Sequence, residues 1–103
     1  MAEKTFFQIL AEETPGINKA FFDMVEAIGK DSGLDEKTFQ LVYIGISAHK
    51  GMVGSVAAHA GYAKKAGATR DEVRGAVLVS LMTTGLKGVS SCLAAALDAY
   101  DNA

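Results

Sequence analysis

A helix end and a helix start share the nine residues Lys64-Lys-Ala-Gly-Ala-Thr-Arg-Asp-Glu72. Gly67 takes the left-handed conformation that closes a helix at little cost, and Lys64 and Lys65 complement the negative end of the helix before it. The next start follows at once. Thr69 as N-cap with Glu72 at the third helical position forms a capping box, in which each side chain accepts a backbone N–H near the other residue.

The rest of the chain carries the same helical signature. There is one proline, and no alternating apolar pattern bounded by hairpin turns, so the expectation is an all-α fold of about six helices. A short first helix near Glu3 to Glu13 stops at Thr14-Pro15-Gly16, because proline disfavours a helical residue before it. A second runs from about Pro15 to Gly29, and Ile17, Phe21, Met24, Val25 and Ile28 have the spacing of one buried face. The third, N-capped by Asp35 and reaching about Lys50, is apolar nearly all round and is expected to be buried. A fourth spans about Val53 to Ala66 and a fifth Arg70 to about Thr84. Gly85-Leu-Lys-Gly88 offers a bend before a last helix with the stripe Val89, Cys92, Leu93, Ala96, Leu97 and Tyr100.

Length and charge restrict the function classes. A chain of 103 residues with a net charge of −2, half of it hydrophobic, is expected to be one domain spanning residues 1–103. The balance is near neutral and shows no basic stripe, which argues against nucleic acid. No apolar run approaches the roughly 20 residues of a membrane span, and the start Met1-Ala-Glu-Lys-Thr-Phe-Phe lacks a secretory pattern, so a soluble cytoplasmic protein is expected. One cysteine excludes a disulfide framework and a four-cysteine zinc site. A short chain this rich in hydrophobic and small residues, among them Gly45, Gly54, Gly61 and Gly88, is expected to cover surface by forming a homo-oligomer.

His59, Ala63, Gly67, Ala68, Thr69 and Glu72 together spell His-x3-Ala-x3-Gly-Ala-Thr-x2-Glu, which resembles the carboxymuconolactone decarboxylase and alkylhydroperoxidase-D (AhpD-like) superfamily. Leu34-Asp-Glu-Lys-Thr38 and the apolar run after it look like the start of that family's preceding helix, and Gly85 to Tyr100 like its closing helix. The likeness covers roughly residues 15 to 100. It implies an AhpD-like helical bundle assembled as a trimer or hexamer.

The peroxidase branch of that family works through Cys-x2-Cys-x3-His with a glutamate upstream, and here the pattern departs. Ser55 stands four residues before His59, Met52 seven before it, and Gln40 nineteen before it, where the glutamate belongs. Reduction of a peroxide by thiol-disulfide chemistry needs an attacking thiolate and a resolving thiol, and neither a thioether nor an unactivated serine supplies one. The chain is therefore read as a family member without the redox pair.

The candidate site is a pocket of Gln40, Met52, Ser55 and His59 between the third, fourth and sixth helices, with no cofactor and no metal. His59 has two readings: a general acid or base facing a ligand, or a packing histidine bonded to a backbone carbonyl or to Gln40. His49 reads as a helix-end residue. Cys92, inside an apolar stripe, reads as a small buried hydrophobe. Ser55 and His59 are neighbours on one helix, yet the sequence shows neither an orienting carboxylate nor an oxyanion hole for a nucleophilic dyad. Three functions follow from the resemblance. The first is a decarboxylase or proton-transfer enzyme acting on a small carboxylated ligand, with Lys50, Lys64 and Arg74 as candidate carboxylate holders. The second is a non-catalytic binding or regulatory paralogue. The third is a peroxidase of the alkylhydroperoxidase or peroxiredoxin type, using Cys92 alone.

Overall fold

The computed structural model describes residues 3–103, which form six α-helices and one 3-10 turn, with no strand among them. They divide into two compact units, one up to Gly33 and one from Leu34 onward.

The first unit is a helical hairpin of α1 (Phe6–Glu13) and α2 (Pro15–Asp31). α1 starts at Phe6 rather than near Glu3, with Thr5 as its N-cap: the Thr5 hydroxyl accepts the N–H of Gln8 at 3.1 Å while the Gln8 side chain accepts the N–H of Thr5 at 2.7 Å. Pro15 sits in the first turn of α2, where a missing N–H costs nothing. The stripe on α2 does not form a buried face. Neither helix has a buried residue, and Ile17 (61% exposed), Phe21, Met24, Val25 and Ile28 all remain open to solvent. Four phenylalanines pack on one another instead, with Phe7 5.4 Å from Phe22 and 6.0 Å from Phe21, and Phe6 beside Phe7. A two-helix hairpin has no third layer to close over such a cluster.

The second unit contains α3 (Glu36–His49), α4 (Val53–Lys65), α5 (Arg70–Leu78), the 3-10 turn Val79–Met82 and α6 (Leu86–Asn102). α4 packs mainly on α6 and α3, and α5 on α6 and α3. The core consists of Ile44 and Ala48 from α3, Val56, Ala60 and Ala63 from α4, Ala68, Val73 and Val77 from α5 and the loop before it, and Cys92 and Ala96 from α6. Most of these side chains are small, so the helix axes lie close together. Gly88 marks the tightest approach: a Cβ built there would fall 1.8 Å from the carbonyl oxygen of Ala48.

The punctuation around Gly67 forms as its residues dictate. Gly67 has φ +95°, its N–H reaches the Lys64 carbonyl at 3.0 Å, and the N–H of Ala68 reaches the Ala63 carbonyl at 2.9 Å, the two bonds of a Schellman closure. Thr69 and Glu72 then exchange bonds of 2.9 and 3.1 Å across the first turn of α5. Asp35 caps α3 by accepting the N–H of Thr38 at 2.7 Å.

Three further expectations need correction. α3 is not buried all round: Gln40, Ile44, Ser47 and Ala48 are buried, whereas Val42, Tyr43 and Ile46 are exposed, because only one side of the helix meets the core. α5 stops at Leu78, and Val79–Met82 tightens into a 3-10 turn. Buried Ser80 donates to the Val77 carbonyl at 2.6 Å and Thr83 to the Ser80 carbonyl at 3.2 Å, competing with the helical ladder. Finally, the bend before α6 is confined to Gly85, and Gly88 lies inside the helix. No helix among the described residues is long and apolar enough to cross a membrane.

Candidate functional site

Gln40 and Tyr43 lie three residues apart on α3, and His59 and Tyr62 three apart on α4, so each pair shares one helix face. Packing α3 on α4 brings the two faces together. His59 Nδ1 lies 2.7 Å from Gln40 Oε1. The Tyr43 ring stacks on the imidazole with centroids 3.6 Å apart and planes 15° from parallel. Tyr62 meets it edge-on at 5.0 Å and 84°. Removal from water by these neighbours lowers the His59 pKa below its ordinary value. Burial thus favours the neutral form of the imidazole, one nitrogen of which is engaged by Gln40.

Ser55 takes its place in a chain of hydroxyls. Its Oγ donates to Tyr43 Oη at 3.4 Å and lies 3.3 Å from Oγ of buried Ser47. Those bonds point its hydroxyl at other hydroxyls, away from the role of an activated nucleophile. Met52 is the N-cap residue of α4 and is 48% exposed. It lines neither of the two cavities described below. Gln40 and His59 are thus in direct contact, and Ser55 joins them through Tyr43. The ring and hydrogen-bond partners of His59 come from α3 and α4.

A cavity of about 360 Å³ opens beside this group, lined by Glu36, Gln40, Tyr62, Lys65 and Ala66. Gln40 is 7% exposed, and its Nε2 donates to Glu36 Oε1 at 3.3 Å, so a carboxylate stands one helical turn from the amide that holds His59. The cation beside this cavity is Lys65. The three cations anticipated from sequence are placed elsewhere: Lys64 donates to the carbonyls of Tyr100 and Ala103 and lies over the Tyr100 ring, Arg74 pairs with Asp71 at 3.0 Å, and Lys50 is exposed at the C-cap of α3. Tyr43, Tyr62, Glu36 and Lys65 are not among the site residues read from the sequence. The signal that finds three of them is helical spacing, since Tyr43 is three residues after Gln40, Glu36 four before it, and Tyr62 three after His59.

A larger groove of about 620 Å³ runs between α3 and α5 and their 3-10 extension, lined mainly by Leu41, Val42, Ile46, Ala76 and Val79. It is apolar, and His59 is not part of it. His49 stands at this groove with Nδ1 3.0 Å from Thr83 Oγ1, at the end of α3. Cys92 is fully buried in the core. Among the described residues no three His, Cys, Asp or Glu side chains group as metal ligands.

No curated protein and no solved structure matches the chain. Its stretch from the first residue of α2 into the last turns of α6, residues 15–98, matches the model of the carboxymuconolactone decarboxylase family, and with one cysteine in the sequence the protein belongs to that family as a member without a cysteine pair.

Proposed function

We propose that this protein is a non-redox enzyme that moves a proton on a small carboxylated lactone, with His59 as the acid–base group. The observation that carries the reading is the half-buried imidazole bonded through Nδ1 to Gln40 at 2.7 Å, which leaves Nε2 to exchange a proton while burial favours the neutral ring. In this role Nε2 takes a proton from carbon beside a carbonyl and returns it. Alternatively, it relays a proton from solvent to the carbanion left when CO2 departs. Lys65, at the rim of the adjacent cavity, supplies a cation for a substrate carboxylate. Ser55, linked to His59 through Tyr43, extends the proposed site toward Met52 at the start of α4. Nothing in the chemistry calls for a cofactor or a metal, and a cytoplasmic location suits it.

A second reading has its own support. The bond to Gln40 is the one expected of a packing histidine, and Tyr43 covers one face of the imidazole, as both would in a packing or ligand-binding role that retains no chemistry. Peroxidase activity is the weakest alternative, because Cys92 is fully buried and no second cysteine exists to resolve it. The three are separated by incubating the protein, and its His59→Gln and Cys92→Ser variants, with γ-carboxymuconolactone and, separately, with peroxide plus a dithiol. Loss of CO2 that disappears in His59→Gln supports the proposal. Lactone binding without turnover supports the binding paralogue, and peroxide consumption that needs Cys92 overturns both.

We also propose that the protein works as a homo-oligomer, a trimer or hexamer. An α1–α2 hairpin with no buried residue and nine exposed large apolar side chains needs other copies to cover it. Asn18 Oδ1 on α2, shielded from solvent, has no hydrogen-bond donor among the described residues.

A further inference from the structure

We infer that Glu36 is a positioning residue that sets the tautomer of His59 through the Gln40 amide, holding the proton on Nδ1 and leaving Nε2 as the free acceptor. The tautomer stands on geometry alone; its use in catalysis rests on the function proposed above.

Gln40 has an acceptor end and a donor end, is only 7% exposed, and turns both ends to protein partners. One of its ends faces His59 Nδ1 at 2.7 Å and the other faces the Glu36 carboxylate at 3.3 Å, four residues earlier on α3. An ionised carboxylate only accepts hydrogen bonds, so the NH2 end must face Glu36. Rotating the amide by 180° would set its oxygen against the carboxylate oxygen and leave two acceptors facing each other. The orientation that satisfies both neighbours puts Oε1 toward the imidazole. A carbonyl oxygen accepts only, so Nδ1 must carry the proton, and in the neutral ring Nε2 then carries none.

The sequence of constraints runs one way, from Glu36 to Gln40 to His59. Gln40 by itself does not choose, because an amide free to rotate accepts from Nδ1–H as readily as it donates to a bare Nδ1. The choice comes from a carboxylate that lies in the first turn of α3 and has no hydrogen bond of its own to the ring. Tyr43 and Tyr62 hold the imidazole plane, which keeps Nδ1 aimed at the amide. Both elements of the relay are thus fixed, the ring by aromatic packing and the amide by charge.

The test is long-range proton–nitrogen correlation of the imidazole in the 15N-labelled full chain above the His59 titration, without ligand. Wild type is expected to show a protonated Nδ1 and a bare Nε2. In Glu36→Gln, position 36 can donate as well as accept, and the minor tautomer, protonated at Nε2, is expected to rise about tenfold, equivalent to about 1.4 kcal/mol. The double variant Glu36→Gln/Gln40→Glu places an acceptor-only group directly against Nδ1 and is expected to restore the single tautomer. A purely structural role for Glu36, as an acidic residue in the first turn of α3, changes stability and leaves the tautomer alone. The inference is overturned if wild-type His59 carries its proton on Nε2, or if Glu36→Gln leaves the tautomer ratio unchanged. Because no substrate is present, a failed turnover assay leaves the tautomer result standing, and a failed tautomer result leaves His59 available as a proton carrier by another arrangement.

Discussion

Gly88 on α6 lies so close to the carbonyl of Ala48 on α3 that a single added methyl group would overlap it, at 1.8 Å from the oxygen and 2.8 Å from the carbon. The atom in the way is backbone, which cannot rotate aside. Gly88→Ala is therefore expected to push α6 from α3 and to cost about 2–4 kcal/mol, despite the roughly 1 kcal/mol that alanine gains over glycine in a helix. Gly75→Ala in α5 is the control, since a Cβ there meets nothing within 4 Å. It is expected to stabilise by about 0.5–1 kcal/mol. Urea unfolding of the two variants beside wild type checks both signs.

Stability is expected to fall with acid in two steps. His59 has a lower pKa folded than unfolded because burial disfavours the imidazolium. The folded state then binds fewer protons, and this contribution is complete above the unfolded value near about 6.5 and declines as pH drops below it. Asp35, Glu72 and Asp101 are also held below their ordinary values, chiefly by the Thr38 N–H, the Thr69 N–H and the Arg70 side chain respectively. Their contributions are present above the unfolded carboxylate range and vanish as pH falls through the folded values. Urea midpoints measured from pH 8 to pH 3 in wild type and His59→Gln should coincide in the acid step and differ in the first.

Tyr43 should control how strongly His59 is shielded. Its ring stacks 3.6 Å from the imidazole, and Tyr43→Ala exposes that face to water. The His59 pKa is expected to rise toward its ordinary value, followed by NMR titration of the ring protons. Tyr43→Phe keeps the stack and loses only the bond from Ser55, so it should leave the titration close to wild type.

The exposed stripe on α2 gives the proposed oligomer a direct test. Light scattering on the full chain is expected to report a mass above that of one chain. Phe21→Glu, which puts a charge into the phenylalanine cluster, is expected to weaken association at least tenfold in concentration, whereas Lys19→Glu on the polar side should leave it near wild type. A wild-type protein that stays monomeric at every concentration would contradict the assembly.

Wherever a residue's own chemistry decided the outcome, the fold was legible in the sequence. Gly67, Thr69, Glu72 and Asp35 act through local hydrogen bonds, and each behaves as its type and spacing require. The apolar stripe of α6 is likewise buried at Val89, Cys92 and Ala96. The stripe of α2 has the same periodicity and is exposed, because periodicity tells which residues share a face and not whether a partner covers it within one chain. The end of α5 depended on hydroxyls bonding back to carbonyls, a competition that pattern reading does not weigh. In the site, the pairing of Gln40 with His59 was among the readings of the sequence. The tyrosine stack and the Glu36 contact required the relative placement of α3 and α4, and the cations chosen by proximity in sequence belong to other helix faces.

The phenylalanine cluster of the hairpin has helices around it but no interior, and this divides the backbone into two populations of amide. Those of α5, where Val73 and Val77 are fully buried, exchange their protons with solvent when the core of the second unit opens. Those of α1 and α2 have no buried side chain to unlock and exchange with each fraying of the hairpin. In the proposed assembly, copies that associate through this face would add protection to these helices alone, and the slowing of exchange across residues 6–31 would become a function of protein concentration.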